Sequence, residues 1–139
     1  MDQSKMYAIE LNVRDYECDL QGIVNNAVYL NYLEHARHMF LKTIGFDFAR
    51  MHRECIDALA IRIEIDYRYP LTSGDHFMVT VQIQRERKLK LLFNQTILRL
   101  PDKKPIVAAR VYAICMKEGK PVVPFDILEA IRKRYPDFK

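Results

Sequence analysis

Residues 15–26 hold the densest cluster of chemically unusual residues in this sequence: Asp15, Tyr16, Glu17, Cys18, Asp19, Gly22, Asn25 and Asn26. They stand just before the longest helical pattern in the chain. The free N–H groups at a helix start, with the positive end of its dipole, can hold an anion or a developing oxyanion. Gly22 would let a ligand approach the backbone closely. Asp19, a few residues upstream of the helix, could place a carboxylate beside the same spot. A base or nucleophile next to oxyanion donors is the minimum arrangement for attack on a carbonyl. Acidic and asparagine residues are also favoured as turn formers and helix caps, and spacing alone leaves both uses open.

Other candidate groups carry less. Cys18 adjoins Asp19, but no histidine is placed in the sequence to activate it, so it reads as an inert turn cysteine. His35 and His38 stand three apart on the polar side of the helical pattern with Glu34, and no third ligand of clear spacing completes a metal site. No metal is expected. His52 and His76 fall in loop or turn positions. Arg85, Arg87, Lys88 and Lys90 cluster in the RERKLK segment, which reads as a charged hairpin tip.

The elements that must position these residues follow from periodicity. Tyr7 to Val13 alternates as a short strand, followed by the turn-like RDYECDLQG. From Ala27 to Ile44, Tyr29, Leu33, Ala36, Phe40 and Ile44 recur at steps of three and four and share one helix face. Asn25 or Asn26 caps its start, and Gly45 suits its end. After a loop through Met51 to Asp57 the period changes to two: Leu59, Ile61, Ile63, Ile65, Tyr67 and Tyr69 form the apolar side of a half-buried strand. Further strands are expected over Phe77 to Gln84, Leu91 to Leu100 and Ile106 to Met116. The tail, GKPVVPFDILEAIRKRY, reads as a turn and a short amphipathic helix. Connections this tight require antiparallel pairing, and the helix must bury its apolar face on the sheet. The expected class is α+β, an antiparallel sheet curled around one central helix, in a single domain over residues 1–139.

Composition agrees. The chain has 139 residues, 50% hydrophobic and 29% charged, an ordinary globular balance. No apolar run approaches the ~18 residues of a membrane helix, and no signal peptide is visible at the start. Three widely spaced cysteines fit neither a disulfide framework nor a zinc site, and a cytoplasmic setting is expected. A formal charge of +4 could favour anionic ligands, but no nucleic-acid recognition motif accompanies it.

The segment Arg14 to Arg37, RDYECDLQGIVNNAVYLNYLEHAR, resembles the signature of the hotdog-fold acyl-thioesterases, in particular the 4-hydroxybenzoyl-CoA thioesterase family. Asp19, Gly22, Ile23, Val24 and Tyr29 fall on that pattern, and Glu34, Ala36 and Arg37 match its E-x-A-R. YRYPLTSGD, from Tyr67 to Asp75, and the tail around Val123 and Pro124 are similar too. The fold the resemblance implies, a sheet wrapping a long helix, agrees with the reading from periodicity.

The resemblance implies an acyl-CoA thioesterase with Asp19 as nucleophile or general base, and the helix start at Asn26 as oxyanion donor. Gly22, Ile23, Val24 and Tyr29 are then substrate-binding, and Arg87 and Lys88 are candidates for the phosphates of the thiol carrier. Many members carry histidine or tyrosine where Asn26 stands. An amide cannot exchange protons near neutrality, so the backbone N–H is the role carried over. The resemblance also implies a homodimer or homotetramer with active sites at the subunit interface, and no cofactor. An acyl carrier protein thioester is the alternative substrate, and a non-catalytic acyl-thioester-binding protein is the alternative function. Binding to nucleic acid or membrane is not expected.

Overall fold

A computed structural model describes residues 6–87 and 89–138. Six strands form one antiparallel sheet: β1 (Tyr7–Asn12), β2 (Ile56–Tyr67), β3 (His76–Arg85), β4 (Lys90–Leu100), β5 (Lys104–Lys117) and the short β6 (Lys120–Val122). The order across the sheet is β1-β3-β4-β5-β2, with β6 paired to β5. The sheet is curled, and three α-helices accompany it: α1 (Asn26–Thr43), α2 (Phe48–Arg53) and α3 (Phe125–Arg134).

Helix α1 begins where the Asn25 side chain accepts a hydrogen bond from Ala27 N at 2.9 Å, satisfying one orphan donor of its first turn. The periodic residues Tyr29, Leu33, Ala36 and Phe40 are buried, as expected. Burial of each large apolar side chain is worth roughly 1.5–3 kcal/mol. The face they form packs against β3 and β1. A polar link adds direction to that packing. Gln95 of β4, only 2% exposed, donates to Leu33 O at 3.0 Å and accepts from Arg37 at 3.0 Å. Arg37 is thus half inside the molecule, and burial pulls its guanidinium below the ordinary arginine value.

Two features differ from the sequence reading. Residues expected to form a loop after Gly45 include α2, a helix of 6 residues capped by Asp47, which accepts from Arg50 N at 2.9 Å. A segment this short shows too few turns for periodicity to register. The second difference concerns β2, which starts at Ile56 and is not half-buried. Leu59, Ile61, Ile63 and Tyr67 are each 39–47% exposed. The physical reason is position: β2 is an edge strand, and the short α2 packed against it leaves most of its length exposed, with Ile56 and Ile65 partly buried against the core. By contrast, α3 buries Ile127, Leu128 and Ile131 as an amphipathic tail helix should.

Candidate active site

The loop between β1 and α1 is tied down at successive points. A 3₁₀ turn spans Asp15–Glu17. Cys18 bridges to Val24, and Ile23 bridges to Thr72 in the turn before β3. Asp19 N donates to Ile23 O at 2.9 Å, and Gly22 N donates to Asp19 O at 3.0 Å. Gly22 has φ +79°, the left-handed region that glycine adopts without strain. Val24 N donates to Leu71 O at 2.9 Å, and Ser73 Oγ donates to the Asp15 carboxylate. The loop therefore rides on the β2–β3 connection as well as on the helix.

Asp19 is exposed, and its Oδ1 accepts from Gln21 N at 2.8 Å. That bond orients the exposed carboxylate on its own turn. Asn26 is the first residue of α1, so its N–H has no intrahelical acceptor. Its carbonyl accepts from the Tyr67 hydroxyl at 3.2 Å. The Tyr67 ring meets Tyr29 edge-on with centroids 5.5 Å apart, and the Tyr29 hydroxyl accepts from Leu71 N at 3.0 Å. Burial raises the Tyr29 phenol above its ordinary value, so it stays protonated at neutral pH.

An open cleft of about 220 Å³ lies at the helix start, lined by Ile23, Val24, Asn26, Tyr29, Tyr67, Arg68, Tyr69 and Pro70. Four residues singled out from sequence thus line one cavity. Asp19 and Gly22 sit on the loop that forms its wall without lining it. Tyr67, Arg68, Tyr69 and Pro70 are not expected from sequence as site residues: the similarity of the Tyr67–Asp75 segment points to a strand and turn, and alternation gives no sign that they line a cleft. Arg87 is not brought to this cleft. It lies at the β3–β4 tip, while the cleft is at the β2–β3 end, a full length of β3 away, roughly 30 Å at the rise of a strand. Lys88 lies outside the described residues.

Cys18 is a poor nucleophile here. Partial burial, then the carboxylates of Asp15, Asp19 and Glu17, push its thiol above the ordinary value. His38 is packed edge-on to Phe48 of α2, centroids 4.4 Å apart, and lies 3.9 Å from Glu34, a packing role.

A carboxylate on a pinned turn and a helix-start N–H without an intrahelical acceptor, beside a cleft, suit attack on an activated acyl group. Comparison with known proteins gives the class. The chain belongs to the thioesterase-like superfamily, which it matches over residues 13–133. Its resemblance to the hotdog thioesterases therefore holds. It is 38% identical to the acyl-acyl carrier protein thioesterase ATL3 of Arabidopsis thaliana over 136 residues, 97% of this chain and 70% of the relative. It is 30% identical to the long-chain acyl-CoA thioesterase FadM of Escherichia coli over 107 residues, 77% of this chain and 80% of that one. A solved structure from Aquifex aeolicus, described as a hypothetical protein, superposes with a TM-score of 0.84 at 26% identity. It covers 90% of this chain and 98% of its own.

Proposed function

We propose that the protein hydrolyses acyl-CoA thioesters to free acid and CoA, with Asp19 as nucleophile or general base and the Asn26 N–H as oxyanion donor. The observation that carries the reading is the junction itself: a carboxylate-bearing turn closed onto the start of α1, where the first N–H has no hydrogen-bond acceptor among the described residues. A thioester carbonyl is electrophilic and its thiolate leaves readily, so modest assistance suffices. If Asp19 acts as base, it takes a proton from water, the hydroxyl adds to the carbonyl, and the C–S bond breaks to release thiolate. If it acts as nucleophile, an acyl–aspartyl anhydride forms with loss of thiolate, and water then cleaves it. In both routes the negative charge grows on the carbonyl oxygen, where the Asn26 N–H stabilises it. Ile23, Val24 and Tyr29 shape the acyl end of the cleft, and Gly22, with its positive φ, sets the turn beside it as a substrate-binding element.

The carrier has a second reading. The Arabidopsis relative, similar over 97% of this chain, is named for acyl carrier protein, which favours that carrier here too. Both carriers present a phosphopantetheine thioester, so the chemistry is shared. Release of thiol from matched acyl-CoA and acyl-carrier-protein series, spanning aromatic, short, medium and long acyl groups, separates the two. A kcat/KM at least ~10-fold higher on one carrier assigns it. Binding without thiol release on either would leave a non-catalytic thioester-binding protein.

The proposal includes a homodimer or a larger even assembly in the cytoplasm, with the sheet wrapping α1 as the central helix of each subunit. The exposed apolar edge of β2 supports the pairing. Antiparallel β2–β2 pairing about a two-fold axis sets the second copy's β3–β4 tip at the cleft end of the first. Arg87 then approaches the carrier's phosphates from across the interface.

A further inference from the structure

We infer that Glu17 and Tyr32 form the clamp that sets the Asp19 turn against the start of α1, making them positioning residues for the reaction. The inference rests on the catalytic reading of Asp19 and Asn26 and goes beyond it. Glu17 Oε1 accepts two hydrogen bonds, from Arg14 N at 2.8 Å and from the Tyr32 hydroxyl at 2.9 Å. Its backbone carbonyl accepts a third, from Asn25 N at 3.1 Å. One residue thus holds the entry to the 3₁₀ turn, the helix cap residue and the second turn of α1. Asp19 follows two residues later.

Tyr32 supplies the fixed end. It is 5% exposed, and its ring packs on Phe77 of β3 with centroids 4.7 Å apart. Its neighbour one turn earlier, Tyr29, holds the opposite wall by accepting from Leu71 N. Two tyrosines on one face of α1 therefore grip the two loops that flank the cleft. The hydrogen bond from Tyr32 ends on a charged oxygen at a partly buried site, where it is stronger than a neutral one. Neither residue lines the cleft at Asn26. Their effect on chemistry passes through the position of Asp19, and small displacements of a reacting group cost large factors in rate.

Tyr32→Phe removes the hydroxyl and keeps the ring on Phe77. The expected result is a kcat about 10-fold lower with KM within twofold, an unchanged fold by circular dichroism, and faster hydrogen exchange at the amides of Asp19 and Asn25. Glu17→Ala reproduces this, Glu17→Gln keeps the acceptor oxygen and most of the rate, and the Glu17→Ala/Tyr32→Phe double variant is no worse than either single one. Unchanged kcat in Tyr32→Phe, or additive losses in the double variant, would overturn the clamp. Should the wild type hydrolyse no thioester, the proposed function fails. The exchange measurement then decides separately: unchanged Asp19 and Asn25 amides in Tyr32→Phe reject the clamp, and loosened ones uphold its grip on the loop.

Discussion

At the residue scale, the proposed oxyanion donor is a backbone atom, and this can be tested with one substitution. Asn26 occupies the first helical position, where proline is well tolerated because that N–H has no helical partner. Asn25 before it has φ −63° and ψ 139°, the extended conformation a following proline requires. Asn26→Pro should therefore keep the helix and delete the donor, lowering kcat about 10²–10³-fold. Asn26→Ala, which keeps the N–H, should stay within a few-fold of wild type. Steady-state kinetics on both variants, with helix content by circular dichroism, checks the pair. Equal loss in both would move the role to the side chain. In the sequence, Asp19, Gly22 and Asn26 stand out as candidates because they cluster just before and at the start of the helix. The tie between Glu17, which stands in the same cluster, and Tyr32 is not legible there, because it depends on a contact 15 positions apart.

At the element scale, α1 and α2 are joined through His38 and Phe48. Burial, then Arg37 and His35, lower the His38 pKa, and Glu34 opposes them without reversing the sign. The neutral ring is thus favoured in the folded chain, and the unfolded chain binds more protons below the ordinary histidine value of 6.5. This contribution is present above that value and is lost as pH falls through the folded pKa. Melting temperature should drop between pH 7.5 and 5, and His38→Gln should flatten part of that drop. An identical profile in the variant would remove His38 from the linkage. Periodicity exposed α1 and α3 because each repeats its apolar face over several turns. A helix of α2's length cannot, and its cap Asp47 reads equally well as a loop residue.

For the whole molecule, the informative surface is the exposed apolar side of β2, where the proposed subunit pairing can be tested. Alternation identified β2 as a strand with an apolar side, and topology places it at the sheet edge. Alternation alone could not show how little of that side the rest of the chain covers, which is why the half-buried reading failed. Light scattering should give a mass of twice 16.5 kDa or a larger even multiple. Ile61→Lys, which sets a charge on the exposed β2 edge, should shift the protein toward monomer with loss of activity. A wild-type monomer with full activity would refute the interface.

The most direct measurement compares thiol release by wild type and Asp19→Asn on the best acyl thioester of the panel. Asn keeps the size of the side chain and an acceptor for the Gln21 amide, and removes the charge. The expected result is a kcat lower by ~10²–10⁴-fold with the fold and the assembly unchanged. Turnover by Asp19→Asn within a few-fold of wild type would contradict the assignment of Asp19 and the reaction built on it.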